Sequence, residues 1–134
     1  MQVLLAEDDR AVRESLVRAL GLEGYDVAAV SNGVQALDWL ASNVADIVLL
    51  ECVPSELGKA IRNALEVPVI GIGAGPDVDG QILVLYDIIG LTPGRKPRFV
   101  RDYSVETKNP LEAVRAYVGS VKDASYPAEE HCFS

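Results

Sequence analysis

Short apolar runs alternate with amphipathic stretches along almost the whole chain. The apolar runs predict strands over residues 3–6, 25–30, 46–50 and 67–72. The amphipathic stretches between them, and one near the end of the chain, predict helices that begin at or next to Asp9, Asn32, Pro54 and Asn109, which are residue types that favour helix starts. Because strands and helices alternate, the pattern predicts an α/β domain whose parallel sheet is covered on both faces.

The stretch from Gly80 to Ile89 fits two interpretations. Its residues 82–86 are of types typical of a strand. However, a parallel strand normally follows its neighbour after a crossover of about a dozen residues, and the gap after residue 72 is shorter. Asp79 can cap a helix and Gly90 can end one. We therefore favour a helix over Gly80–Ile89 and place the fifth strand at Arg98–Tyr103, with a strand at 82–86 as the alternative.

Composition limits the classes of function. The chain has 134 residues, about half of them apolar, and a net charge of −8. This length predicts a single domain, and the acidic balance argues against a nucleic-acid partner. No apolar stretch is long enough to cross a membrane. Cys52 and Cys132 are expected to be free thiols, which fits a cytoplasmic protein. His131 lies in an acidic tail, where we expect it to be solvated.

Residues 1–50 contain several motifs in a characteristic order. They are Leu4-Leu5-Ala6-Glu7-Asp8-Asp9, Gly24-Tyr25-Asp26-Val27, Asn32-Gly33-Val34-Gln35-Ala36-Leu37 and Asp46-Ile47-Val48-Leu49-Leu50. This part resembles a response-regulator receiver domain. The resemblance implies a single flavodoxin-like, three-layer domain with a five-stranded parallel sheet of order 2-1-3-4-5.

The receiver resemblance also implies a site. Glu7 and Asp8 match the acidic pair of receivers, and Glu51 stands where the phosphoacceptor aspartate should be. A glutamate there cannot form an aspartyl phosphate, so we expect no phosphoryl signalling. The three carboxylates should meet at the carboxyl edge of the sheet, where they could bind Mg²⁺ weakly. The alternative is that all three are simply solvated.

Residues 51–134 contain a second set of motifs. They include Glu51-Cys52-Val53-Pro54-Ser55-Glu56-Leu57, Pro68-Val69-Ile70-Gly71-Ile72-Gly73-Ala74-Gly75 and Tyr126-Pro127-Ala128-Glu129-Glu130-His131-Cys132-Phe133. This part resembles the C-terminal portion of ketopantoate hydroxymethyltransferase, a (β/α)8-barrel enzyme. The resemblance implies that Glu51 corresponds to a catalytic base that removes a proton next to the carbonyl of ketoisovalerate. The barrel strands that would bring the other substrate and magnesium contacts are absent.

Taken together, the two resemblances predict a chimera that is joined at Glu51. We interpret the chain as an engineered fusion of flavodoxin-like and barrel fragments, with no catalytic activity, a vestigial Glu51 and no required cofactor. The alternative is a degenerate receiver-like module that binds a divalent metal and a protein partner. No specific partner is expected, although the apolar surface near Ile82–Leu91 could support a homodimer.

Overall fold

The computed structural model describes residues 1–134 and contains one sheet of five parallel strands in the order β2-β1-β3-β4-β5. The strands are β1 (Gln2–Ala6), β2 (Asp26–Val30), β3 (Ile47–Glu51), β4 (Val69–Ile72) and β5 (Gly80–Gln81). The helices are α1 (Arg10–Leu22), α2 (Gly33–Leu40), α3 (Ser55–Ala64), α4 (Leu85–Ile88) and α5 (Pro110–Lys122), and two 3₁₀ turns cover Tyr103–Glu106 and Glu129–His131. The flavodoxin-like sheet order is confirmed.

Helix starts follow from local capping. The side chains of Asp9, Asn32 and Asn109 each accept a hydrogen bond from a backbone N–H in the first turn of the helix that follows. Each bond satisfies a backbone donor that has no partner within its helix. Pro54 directly precedes α3 and its side chain makes no capping bond. These positions agree with the helix starts expected from the sequence.

The main core lies on the face of the sheet that carries α2 and α3. Alternate residues of a strand point to opposite faces, so Leu4 and Leu50 pack on this face against Ala36 of α2 and Ile61 of α3, all fully buried. The opposite face carries Val3 and Leu49, which line an apolar groove together with Leu20 of α1. This alternation determines which strand residues point into the core. The residues at the ends of the strands remain available to line a functional site.

A second, smaller cluster forms around α5. It consists of Ile88, Tyr103, Ala113, Tyr117 and Tyr126, and its three tyrosine rings meet edge to face with centroids 5.8–6.3 Å apart. The Tyr117 hydroxyl donates to the carbonyl of Gln81 at 2.9 Å, which ties this cluster to β5. The part of the chain after the main sheet is therefore attached to it through the last strand.

The predicted position of the fifth strand is wrong. β5 is Gly80–Gln81, whereas residues 98–102 form no strand, and only Leu85–Ile88 of the predicted helix is helical. The short connection from β4 is possible because Gly73 and Gly75 adopt φ of +66° and +80° and turn the chain without a crossover helix. Asp79 then bonds back to β4, since its carboxylate accepts from the N–H of Val69 at 2.9 Å.

The expected apolar surface is present. Large apolar side chains between residues 82 and 91 are 43–64% exposed; they are Ile82, Val84, Leu85, Tyr86 and Leu91. A homodimer through this surface stays a prediction. No helix in the structure combines the length and the apolar character that crossing a membrane requires.

Candidate functional site

A cleft of about 330 Å³ opens at the carboxyl edge of the sheet. It lies where β1 and β3 end and α2 and α3 begin, which is where open α/β sheets bind their ligands. We call it the strand-tip cleft. Its lining residues are Ala6, Glu7, Asp8, Ser31, Asn32, Gly33, Val34, Glu51, Cys52, Val53, Pro54 and Leu57. The three acidic residues predicted from the sequence therefore all line one cleft.

Glu7 is buried in the floor of this cleft. Its side chain is only 2% exposed, and Oε1 accepts a hydrogen bond from the N–H of Asp9 at 2.8 Å. The other oxygen, Oε2, is buried, and no N–H group, hydroxyl or thiol donates a hydrogen bond to it. A buried carboxylate oxygen without a partner is costly, so Glu7 needs a proton or a cation beside it.

Glu51 supplies that proton. It is half-buried at the tip of β3, and burial, the hydrogen bond with Glu7 and the negative charges of Glu7, Asp8 and Asp9 together raise its pKa from 4.5 to about 8. Like charges at short range disfavour ionisation, and so does removal from water. At neutral pH the Glu51 carboxyl is therefore mostly protonated and donates to Glu7. The two side chains form a carboxyl pair that holds one proton.

Cys52 follows Glu51 but is not set up as a nucleophile. Burial, followed by the charges of Glu51, Glu7 and Asp8, raises the pKa of its thiol to about 11. A thiol that stays protonated reacts slowly. Its backbone has φ of +50°, which turns the chain from β3 towards α3. Both Cys52 and Cys132 are free, as the sequence predicted.

The opposite wall of the cleft is the start of α2. Asn32 uses its side-chain oxygen to cap the helix through the N–H of Gln35, at 2.9 Å. The backbone N–H groups of Gly33 and Val34 belong to the first turn, where no intrahelical acceptor exists. The positive end of the helix therefore faces a cleft that is otherwise acidic, and it gives the cleft one place that favours an anion.

The metal site predicted at Glu7, Asp8 and Glu51 remains a prediction. The structure brings the three residues to one cleft, but it contains no group of three His, Cys, Asp or Glu side chains in an arrangement that could hold a metal ion. Asp8 is exposed, and its carboxylate accepts from the N–H of Asp9 at 3.0 Å. A cation would have to displace the proton that Glu51 holds.

Two residues differ from the sequence-based expectation. His131 was expected to be solvated but is only 8% exposed; its Nδ1 accepts from the N–H of Ala128 at 3.0 Å and its ring packs on Tyr126. Burial lowers its pKa. A hydrophobic neighbour in the tail, Tyr126, was the only signal that could have indicated this. Glu7 was expected at the site, but nothing in its acidic run indicated that it would be buried.

Comparisons with known proteins connect most of the chain to one enzyme family. The sequence pattern of that family, described as ketopantoate hydroxymethyltransferase, matches residues 18–129. The 3-methyl-2-oxobutanoate hydroxymethyltransferase of Chromohalobacter salexigens is 56% identical over 89 residues, covering 66% of this chain and 34% of that protein. Those of Marinobacter nauticus and Alkalilimnicola ehrlichii are 48% and 46% identical, covering 84% and 91% of this chain but 42% and 45% of theirs.

Solved structures connect the fold to receivers. Response regulator TrrA from Thermotoga maritima, in complex with Mg²⁺-BeF, superimposes with a TM-score of 0.55 at 23% identity, covering 62% of this chain and 85% of that one. A two-component response regulator from Clostridium difficile gives 0.54 at 18% identity over 94% and 98% of the two chains. At these identities the likeness shows the fold alone.

These findings correct one prediction and confirm another. The prediction that the chain has no enzymatic activity is contradicted, because relatives at 46–56% identity are named as hydroxymethyltransferases. The prediction of two resemblances is confirmed, although the family match begins at residue 18, well before Glu51. The chain spans less than half the length of these relatives. The chain has a receiver-like fold and belongs to the ketopantoate hydroxymethyltransferase family.

Proposed function

We propose that this chain catalyses proton transfer at the carbon next to the carbonyl of a small 2-oxo acid, with Glu51 as the base. The observation that carries the proposal is the Glu7–Glu51 carboxyl pair in the strand-tip cleft, with the pKa of Glu51 raised to about 8. A general base works best when its pKa lies near the working pH, because it is then both strong and partly ionised. A carboxylate of ordinary pKa would be a much weaker base.

The proton transfer uses groups that line one cleft. Ionised Glu51 takes a proton from C3 of 3-methyl-2-oxobutanoate, the compound in the names of the relatives. The C–H electron pair forms a C2–C3 double bond, and the ketone oxygen becomes an enolate oxygen. The N–H groups of Gly33 and Val34 at the start of α2 are the donors in the cleft that favour this negative charge.

Glu7 acts through Glu51. Because Glu7 is buried and bonded to Asp9 through one oxygen only, its second oxygen can accept a hydrogen bond from the Glu51 carboxyl group after Glu51 has taken up the proton. This stabilises the protonated base and keeps it in place for proton return. The chain spans less than half the length of its relatives, so the proposal is limited to the proton-transfer step.

Exchange of the C3 proton in D₂O tests this proposal. Deuterium at C3 changes the methyl doublet of 3-methyl-2-oxobutanoate to a singlet in the proton NMR spectrum, and no second substrate is needed. We expect exchange above the buffer rate, rising with pH through a midpoint of about 8 as Glu51 ionises, and lost in Glu51→Gln. Glu66→Gln is the matched control, because Glu66 is exposed and lies outside the cleft. Exchange at the buffer rate, or exchange that Glu51→Gln leaves unchanged, would refute the proposal.

A second candidate is weak binding of a divalent cation by Glu7, Asp8 and Glu51. The buried, unpartnered oxygen of Glu7 favours it, since carboxylate oxygens are preferred ligands of Mg²⁺. The lack of three converging ligands opposes it as a resident metal site. No step of the proton transfer described above depends on such an ion.

We also propose that the receiver-like beginning and the enzyme-family remainder form one engineered folding unit. The support is that β1 and β2, which precede Glu51, pair in the same sheet as β4 and β5, which follow it. Trp39 reports on the first part and the tyrosine cluster around α5 on the second. Urea unfolding should show the same midpoint by Trp39 fluorescence and by near-UV circular dichroism of the tyrosines. Two separate midpoints would refute a single unit.

A further inference from the structure

A second cleft, of about 610 Å³, lies between the segment after α4 and the C-terminal tail. Its five lining residues are Arg95, Lys96, Pro97, Arg98 and Phe133, and we call it the basic cleft. The chain as a whole carries a net charge of −8. A concave surface with three cationic side chains and no acidic one is therefore an exception on this molecule.

Two of the three cations have no acidic partner. Lys96 is neutralised by Asp102, with Nζ 2.7 Å from Oδ2. Arg98 donates through Nε to the carbonyl of Glu130 at 2.9 Å, which positions its guanidinium but leaves the terminal nitrogens without a protein acceptor. Arg95 makes no hydrogen bond or ion pair, and all six ion pairs of the structure involve other cations or Lys96. The guanidinium groups of Arg95 and Arg98 therefore both lie at one concave surface.

One wall of the cleft, formed by Phe133, is fixed by its contacts. The Phe133 ring meets the ring of Phe99 edge to face with centroids 6.3 Å apart, and its carbonyl accepts from the N–H of Ser55 at 2.9 Å. Phe99 is 4% exposed and packs against Gly73 at the tip of β4. Phe133 is thus held near the carboxyl edge of the sheet and Arg98 is tied to the tail through the carbonyl of Glu130, whereas Arg95 is exposed and makes no hydrogen bond.

We infer that the basic cleft is a binding site for a small organic phosphate. A guanidinium group offers parallel N–H donors that match two oxygens of a phosphate, and a doubly charged phosphate is the chemistry that two unpaired arginines recognise best. The aromatic side chain of Phe133 adds a surface on which a ring of the same ligand stacks. Lys96 is paired with Asp102, so the unpaired cationic groups that line the cleft are those of Arg95 and Arg98.

The site is independent of the proton-transfer proposal. None of its five lining residues lines the strand-tip cleft. Glu51→Gln should therefore leave phosphate binding unchanged, and Arg95→Gln should leave proton exchange by Glu51 unchanged in the absence of phosphate. Failure of either proposal can then be told apart from failure of the other.

Calorimetric titration with inorganic pyrophosphate and with ADP tests the inference, at an ionic strength held constant with sodium chloride. We expect saturable binding of both, tighter for ADP because its ring stacks on Phe133. Arg95→Gln and Arg98→Gln should each weaken binding by about tenfold or more, since a charge-assisted hydrogen bond contributes roughly 1.5–3 kcal/mol. Glu130→Gln should strengthen it about two- to threefold, because it removes a negative charge from the residue whose carbonyl binds Arg98.

Arg115→Gln is the matched control, since Arg115 is an exposed arginine on α5 that makes no ion pair. Arg95 makes no hydrogen bond, so its replacement is not expected to disturb folding, and a normal circular dichroism spectrum confirms this for each variant. The inference is overturned if the native chain shows no saturable binding. It is equally overturned if Arg95→Gln and Arg115→Gln weaken binding to the same extent, which would indicate general attraction of anions.

Discussion

Replacing Glu51 with glutamine should change how the stability of this protein depends on pH. In the folded chain, burial and Glu7 raise the pKa of Glu51 from 4.5 to about 8. Between these values the folded chain keeps a proton that the unfolded chain has lost. Stability must therefore fall as pH rises from about 4.5 to 8. Glutamine cannot ionise, and its amide can still donate to Glu7, so this loss should disappear in the variant.

The size of the effect follows from the pKa shift. Each pKa unit corresponds to about 1.4 kcal/mol, so a rise from 4.5 to about 8 gives an upper bound of roughly 5 kcal/mol. Glu51 is only half-buried, so solvent screens part of this, and a discounted value of about 2 kcal/mol is appropriate. Above pH 8, Glu51→Gln should therefore be more stable than the native chain by about 2 kcal/mol, relative to their difference at pH 4.5.

Urea unfolding at a series of pH values measures this directly. Titrations at pH 5, 7 and 9 for the native chain, Glu51→Gln and the exposed control Glu66→Gln give the free energy of unfolding of each. The native chain and the control should lose stability in parallel between pH 5 and 9, while Glu51→Gln should lose less. If all three proteins show the same dependence on pH, Glu51 titrates normally and the carboxyl pair does not exist.

Three further predictions concern other parts of the molecule. Burial lowers the pKa of His131 below 6.5, so the folded chain resists its protonation and stability should fall as pH drops below about 6.5. In urea titrations at pH 7 and 5, His131→Asn should remove this dependence, because the asparagine oxygen can still accept from the N–H of Ala128. Gly73→Ala should lower the free energy of unfolding by about 2–3 kcal/mol, because φ is +66° and the new Cβ would lie 2.5 Å from Phe99. Gly94→Ala, at φ of +81° with open space around it, should lower it by only about 1 kcal/mol, and equal losses would show that the Phe99 contact is unimportant. If Glu7, Asp8 and Glu51 bind a cation, millimolar Mg²⁺ should change Trp39 fluorescence saturably, and no response from the native chain would exclude the site. Asp8→Asn should abolish the change, whereas the control Asp123→Asn, at an exposed residue, should not.

Much of the sheet could be predicted because its signals are local. Strands β1 to β4 are apolar runs, and Asp9, Asn32 and Asn109 cap the helices through bonds within four residues of themselves. The last strand could not be predicted in the same way. Gly80–Gln81 is too short to show a period, and its pairing depends on Gly73, Gly75 and the bond from Asp79 to Val69, which form only once β4 is in place.

The position of the candidate site could be predicted from the sequence, but the burial of Glu7 and the protonation of Glu51 could not. That Glu7, Asp8 and Glu51 would meet follows from the neighbouring positions of β1 and β3 in the sheet. That Glu7 would be buried with a free oxygen, and that Glu51 would hold the proton, depends on packing in three dimensions. The basic cleft was missed for a similar reason, since Arg95 and Phe133 are far apart in sequence and their proximity comes from the docking of the tail on α3.

The most direct test of the Glu7–Glu51 pair is an NMR titration of the Glu51 side-chain carboxyl carbon in isotopically labelled protein, with assignment by Glu51→Gln. The midpoint for Glu51 should lie near pH 8. That midpoint should fall clearly in Glu7→Gln, which removes the charge and the acceptor but leaves the burial. A midpoint near 4.5 in the native chain, or one that Glu7→Gln leaves unchanged, would contradict the shared-proton pair on which the proposed function depends.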